Sequence, residues 1–347
     1  MPVSHARRRP VHLAAAALPA LALLVSGCAT DGTADPDDPD EESLTIYSGR
    51  GEELVDPLLD QLEEETGYDI SVRYGDTAEL AAQLLEEGDR TDADLFYGQD
   101  AGALGALANE GMLAELPEDI TAEVPEEFRA SDDTWVGLSG RSRVIAYDPD
   151  QVDTPPDRVL DVAGEEYAGE VAIAPTNASF QAFVTALRVI EGEDATEQWL
   201  RDLQDNDVQL YDNNRSMLDA LEDGEISLSL NNHYYWYERV KEDPDSVTSE
   251  LHYLPDGDAG ALVNIAGAGV LAPSASEDAA LEALEYLLTA DAQEYFTDET
   301  SEYPVVEGTP TLDELPDLDD LEQPDIDLGD LHALDETLEL LEEVGLV

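Results

Sequence analysis

Between Leu44 and Asn109 the apolar period switches repeatedly between strand and helix. That alternation constrains the fold more than any other feature of the chain. Leu44-Thr45-Ile46-Tyr47 is a short strand run closed by the turn Ser48-Gly49-Arg50-Gly51. Residues 52–65 then carry Leu54, Val55, Leu58, Leu59 and Leu62, the spacing of a helix with one buried face, and Gly67 ends it. The pattern predicts further strands at 70–74 and 93–97 and further helices at Thr77–Glu87 and Ala101–Asn109. A β-α-β-α-β-α order implies a parallel sheet wrapped by helices, since parallel neighbours need a crossover. Ligands of such sheets sit beyond the strand C-termini, here at the turns 48–51, 75–77 and 98–100.

A second series follows. Strands are expected at 135–138 and 144–147, with Arg141 and Arg143 between them or at their edge. Residues 171–174 lead through Pro175-Thr176-Asn177-Ala178-Ser179 into a helix at 180–190. Strands at 208–211 and 226–230 bracket a helix at 215–221. The small, apolar segment 260–271 is a candidate strand returning to the first series, and 281–288 and 290–296 read as closing helices. The fold class is α/β, with two βα lobes and a ligand cleft and hinge between them. Residues 43–141 plus 265–308 are assigned to lobe 1 and 142–264 to lobe 2. Residues 309–347 are assigned to an acidic, helical C-terminal segment packed on the lobes, amphipathic at 331–341. The chain's 347 residues are enough for both cores.

The N-terminus reads as an address. Residues 1–27 contain no acid; Arg7, Arg8 and Arg9 precede an apolar run at 13–25, and Val25-Ser26-Gly27-Cys28 follows. This resembles the lipobox of bacterial and some archaeal lipoproteins, which implies cleavage before Cys28 and its lipidation. The run is short for a membrane span. Residues 1–27 are therefore taken as a lipoprotein signal peptide and 28–42, polar and Pro-interrupted, as an acidic tether. The expected location is the extracytoplasmic face of the cell membrane, held by the lipid anchor alone. Cys28 is the chain's single cysteine, so intrachain disulfides and Cys-based metal sites are excluded.

Charge narrows the partners. The chain has 83 Asp+Glu against 15 Lys+Arg, a net −68, and Lys241 is its one lysine. Nucleic acid is excluded by that field. Excess carboxylate with little lysine points to a halophile, since at molar salt a Debye length of roughly 3 Å screens the self-repulsion.

The most unusual local sequence is Asn231-Asn232-His233-Tyr234-Tyr235-Trp236-Tyr237, directly after a predicted strand. Adjacent tyrosines there could offer two phenolate oxygens to one hard cation such as ferric iron; aromatic packing under a loop is the alternative. Tyr47-Ser48-Gly49-Arg50, Tyr97-Gly98-Gln99-Asp100, Trp135-Val136-Gly137-Leu138-Ser139-Gly140-Arg141, Pro175-Thr176-Asn177 and Asn232-His233-Tyr234-Tyr235-Trp236 occur in an order that resembles the ferric-ion-binding proteins of ABC importers. The resemblance runs from about Leu44 to Pro304. It implies a type II periplasmic-binding-protein fold and no enzymatic activity. It also implies iron on Tyr234 and Tyr235, with carbonate or phosphate as a synergistic anion. Delivery to an ABC permease and its ATPase, by a monomer, is expected with it.

Position by position, the resemblance carries over in part. Gly51, followed by Glu52, stands where many members have a histidine; Gln99 stands where some have a glutamate; Asn177-Ala178-Ser179-Phe180 stands where others have a third tyrosine. The remaining iron ligands are then expected from anions, water, Glu52 or His233. Thr176, Asn177, Ala178 and Ser179 open a helix whose free N–H groups suit an anion, and Asn214 and Asn232 resemble positions that help hold it. Arg50, Glu52, Gln99 and Arg141 are further cleft candidates; ion pairing with carboxylates is the alternative role for the arginines. A polyamine, thiamine, or a phosphonate or other oxyanion in the same fold is the rival ligand reading. A secreted hydrolase is the rival from another class, but no G-x-S-x-G, P-loop or dinucleotide fingerprint is present.

Overall fold

The computed structural model describes residues 43–312 and 315–347; the signal segment, Cys28 and the tether lie outside them. Ten strands are described: β1 (Ser43–Ser48), β2 (Asp69–Tyr74), β3 (Leu95–Gly98), β4 (Val136–Tyr147), β5 (Val171–Ile173), β6 (Gln209–Leu210), β7 (Leu228–Asn232), β8 (Glu250–His252), β9 (Val263–Val270) and β10 (Tyr303–Pro304). Their order is β2-β1-β3-β9-β4-β7-β5-β6, with β8 and β10 each paired to β4. β1 is parallel to β2 and β3, and β5 is parallel to β6 and β7, so each end of the sheet is a βα unit. The antiparallel strands β9 and β4 join the two ends.

The helices follow from their capping residues as much as from their apolar stripes. Asp76, Asp100, Asn177 and Asn213 each accept a backbone N–H from the first turn that they precede. Such side chains satisfy N–H groups that lack helical partners. They place the helix N-termini beyond the strand ends, where the crossover argument expected them. Thr77–Glu87 and Ala101–Asn109 fall at the predicted bounds. Glu193–Asp205 is a helix that the sequence reading left unassigned; it buries Trp199, Leu200 and Leu203 beneath a largely acidic exterior.

Two strands were expected at 135–138 and 144–147; the structure has one, β4. Glycine, serine and arginine interrupt the apolar alternation at its centre, yet every residue from Val136 to Ala146 is buried. The strand runs from one core to another. Val136 and Leu138 pack with Leu44, Ile46, Leu58, Phe96 and Ile265, whereas Ile145 packs with Ile173, Phe183, Trp199 and Leu228. Its partners change accordingly. Residues up to Ser142 pair with β9, ending at Ser142↔Val263, and the pairing with β7 begins at Arg143↔Asn232.

The C-terminal segment touches both cores. Leu328 and Leu331 belong to the first, and Leu340, Leu341 and Val344 of the helix Leu334–Val344 belong to the second. The first contact requires glycine: a Cβ on Gly102 would lie 2.5 Å from the Leu331 carbonyl oxygen.

Candidate functional site

β7 ends at Asn232, whose backbone is still extended (φ −88°, ψ 139°), and the helix His233–Glu242 starts on the next residue. The paired tyrosines therefore sit in the first turn of a helix. In an extended strand their side chains would diverge to opposite faces. Here the rings of Tyr234 and Tyr235 lie 4.1 Å apart between centroids, with 33° between planes. Tyr234 is buried and Tyr235 partly exposed. Burial pushes the Tyr234 hydroxyl well above the ordinary tyrosine value, and Tyr235 adds to the shift against the pull of Arg141. The Tyr234 phenol is thus a poor anion until a highly charged cation displaces its proton. The Arg215 guanidinium caps the Tyr235 ring at 5.1 Å and is held by Glu238 at 2.8 Å.

Facing the tyrosines is a buried charge cluster. Arg50 Nη2 donates to both oxygens of Glu302, at 2.8 and 3.0 Å. Ser139 Oγ donates to the same carboxylate at 2.7 Å, and Arg141 Nε lies 4.0 Å from it. Burial alone would raise the Glu302 carboxyl, but Arg50 and Arg141 outweigh it and hold the group below the usual carboxylate value. Arg50 is correspondingly held charged: burial works against its charge, but Glu302 together with Tyr97 and Tyr234 outweighs that cost. Tyr97, at the end of β3, is fully buried with its hydroxyl against Arg50. The turn that carries Arg50 needs glycine, since a Cβ on Gly49 would overlap Thr77.

A narrow cleft of about 10 Å³, roughly the space of one water, lies between these groups and the second series. Gln99, Asp100, Arg141, Arg143, Ser179, Asn232, Leu262 and Asn264 line it. Arg141 donates to the Gln99 backbone carbonyl. Asn177 Oδ1 accepts from Ser179 N at 3.1 Å and from Ser179 Oγ at 2.6 Å. Asn214 joins Asn177 at 3.5 Å and accepts the Asn232 N–H at 3.1 Å. Arg143 reaches Ser179 Oγ at 3.5 Å, Asn232 Oδ1 at 3.4 Å and the Leu230 carbonyl at 2.8 Å. Its guanidinium stands 4.8 Å over the Phe183 ring. Among the described residues no carboxylate lies within 4.0 Å of it. Burial pushes its pKa down to about 9.

The structure thus brings together Asn177, Ser179, Asn214 and Asn232, with Ala178 in the same helix start, and Arg50, Gln99, Arg141, Tyr234 and Tyr235 around them. Thr176 is exposed outside this network, and Glu52 is exposed in the first turn of the helix Glu52–Thr66. His233, expected among the groups completing an iron shell, is engaged elsewhere. Its Nδ1 accepts from Ser142 N at 3.1 Å, and its Nε2 meets the Ser301 carbonyl at 3.0 Å. Burial pushes its pKa down to about 4. Among the described residues no group of three or more His, Cys, Asp or Glu side chains is placed to hold a metal ion. Tyr234 and Tyr235 remain the metal-ligand candidates beside this cleft. Glu302 escaped the sequence reading, as one acid among 83 with no local pattern around it.

The chain is similar to known proteins in sequence and in fold. Residues 91–327 match the family described as bacterial extracellular solute-binding protein. The Fe(3+)-binding periplasmic protein of Serratia marcescens is 32% identical over 311 residues, covering 88% of this chain and 91% of that protein. The major ferric iron-binding protein of Neisseria meningitidis is 31% identical, covering 87% and 93%. The crystal structure of iron-bound HitA from Pseudomonas aeruginosa superposes with a TM-score of 0.81 at 31% identity, covering 88% of this chain and 99% of that one.

Proposed function

The chain belongs to the bacterial extracellular solute-binding proteins, and from that premise we propose that it captures ferric iron and hands it to an ABC permease and its ATPase. Family members are transport components, not enzymes, and the cleft presents no nucleophile and base in contact. One observation carries the iron reading: two phenols stacked 4.1 Å apart at a strand end, beside a cleft lined by arginine and asparagine. Tyr234 and Tyr235 supply hard oxygen ligands, as a trivalent cation demands. A trivalent ion on two phenolates keeps one positive charge, and Arg143 nearby has no carboxylate partner. An exogenous anion such as carbonate or phosphate balances both. Ser179, Asn214, Asn232, Arg143 and the N–H group of Ala178 hold that anion, with Asn177 positioning them. Arg50, Arg141 and Arg143 disfavour a polyamine or thiamine in the same place. Unpaired Arg143 does favour a second reading, an oxyanion as the transported solute.

The rest of the proposal concerns location and medium. Cys28 carries lipid, residues 28–42 tether the lobes, and the protein works as a monomer on the extracytoplasmic face of a halophile's membrane. Among the described residues no helix is long and apolar enough to cross a membrane.

Tyr234→Phe and Tyr235→Phe test the site, because each keeps the ring and removes only the oxygen. Ferric titration of the wild type should produce a visible phenolate charge-transfer band. Each variant should weaken the band and lose iron to citrate at much lower citrate concentration, with an unchanged circular dichroism spectrum. Wild-type colour and affinity in both variants would remove the iron assignment. Phosphate binding without iron would promote the oxyanion reading.

A further inference from the structure

His233 precedes the paired tyrosines and is fully buried. Nε2 lies 3.0 Å from the Ser301 carbonyl, which can only accept, so the neutral ring carries its proton there. Nδ1 lies 3.1 Å from the Ser142 N–H, from which it then accepts, and 3.3 Å from the Ser142 carbonyl. The imidazole is also stacked on Tyr303, 4.7 Å between centroids and 34° between planes, and meets the edges of Tyr234 and Tyr237 at 5.9 and 6.0 Å.

The places it joins are not ordinary core positions. Ser142 is the last residue of β4 to pair with β9, and its neighbour Arg143 is the first to pair with β7. Ser301 ends the helix Ala290–Thr300 in the left-handed region (φ 54°), an uncommon conformation for a residue with a side chain. Its neighbour Glu302 holds Arg50. A continuous chain of contacts therefore runs from Arg50 through Glu302 and the Ser301 carbonyl to His233, and from there to Tyr234. A second branch runs from His233 to Ser142, between Arg141 and Arg143.

We infer that His233 is the positioning residue of the metal centre: its imidazole bolts the tyrosine-bearing helix to both chain segments that carry the cleft's charged groups, and so fixes where the two phenol oxygens stand relative to Arg50, Arg141 and Arg143. This rests on the iron reading above. An imidazole suits the task because one small rigid ring offers a donor and an acceptor on opposite sides. Leucine fills the space and makes neither bond. Glutamine offers both functions on a flexible stem. Asparagine is too short to reach both partners.

The test uses the full chain in molar salt, ferric titration in visible absorbance, and stopped-flow release to excess citrate. His233→Leu keeps both phenols and so keeps a coloured complex. Its absorption maximum should shift, and its iron should leave about tenfold faster or more, the consequence of losing two buried hydrogen bonds. His233→Gln should recover part of both effects. If the leucine variant does not fold, His233→Asn carries the same expectation. A folded leucine or asparagine variant with the wild-type band and release rate would overturn the positioning role while leaving the iron reading intact. Absence of any visible band in the wild type would instead overturn the iron reading and this inference with it.

Discussion

Glu302→Gln isolates the buried charge cluster, because glutamine keeps the shape of glutamate and removes only the charge. In the native chain one carboxylate holds Arg50 at 2.8 and 3.0 Å, takes a hydrogen bond from Ser139 at 2.7 Å and faces Arg141 at 4.0 Å. The side chains of all three charged residues are 3% exposed or less. The substitution leaves two buried guanidinium groups without a counter-charge and turns an amide NH₂ or its carbonyl toward donors. Removing one partner of a buried pair costs about 3–5 kcal/mol. For a chain of this size that lowers the thermal midpoint on the order of 10 °C. The folded carboxyl titrates below its unfolded value. Its stabilisation is therefore complete above the unfolded pKa and is lost as pH falls through the folded one, where protonated Glu302 resembles glutamine. The difference between wild type and variant should be largest at neutral pH and close in acid. Buried pairs are poorly screened, so it should persist from dilute to molar KCl. Calorimetric melts across pH and salt measure all three. A neutral-pH difference under about 1 kcal/mol, the range of an exposed pair, or one that disappears in molar salt, would refute the argument.

Cys28→Ser should move the protein from the membrane to the soluble fraction, because the lipid chains supply the anchoring free energy; a variant that stays bound through a salt wash has another anchor. The wild-type thermal midpoint should rise steeply from dilute buffer, where the Debye length reaches roughly 30 Å, to molar salt. A flat profile would remove the halophile reading and leave the binding site untouched.

Local signals carried much of the fold and little of the electrostatics. The helices Thr77–Glu87 and Ala101–Asn109 were legible to the residue because an apolar stripe and a capping aspartate mark each of them. β4 was not, since its middle reads as a polar loop; only a strand passing between two cores buries Gly140, Arg141, Ser142 and Arg143 together. The tyrosine pair stood out as a motif, but its geometry depended on a helix starting one residue earlier. Glu302 could not be found from sequence: it is distinguished by Arg50, 252 residues away. His233 was legible as an unusual residue in an unusual motif. Its two partners are backbone groups of remote segments, which no side-chain pattern announces.

The distribution of positive charge supplies a physical basis for the proposal that so acidic a chain holds an anion beside a cation. Without residues 1–27 it has 12 basic residues against 83 acidic, a net −71. Among the described residues, the buried arginines are Arg50, Arg141 and Arg143; Arg141 and Arg143 line the cleft, and Arg50 and Arg141 share Glu302. Most of the exterior arginines lie beside carboxylates, as in Arg129–Asp133, Arg188–Glu193 and Arg239–Asp219. In dilute buffer the summed field would attract any cation and repel any anion. At molar salt that field reaches only about 3 Å from the surface, so it selects nothing. Discrimination is then left to groups that bulk ions cannot screen, which are the buried ones. Arg50 is neutralised by Glu302, whereas Arg143 keeps its charge without a carboxylate and at the cost of burial. That uncompensated charge is the local feature able to draw an anion through an acidic surface, and under the proposed reading its interaction with Tyr234 would tie anion and metal to one site.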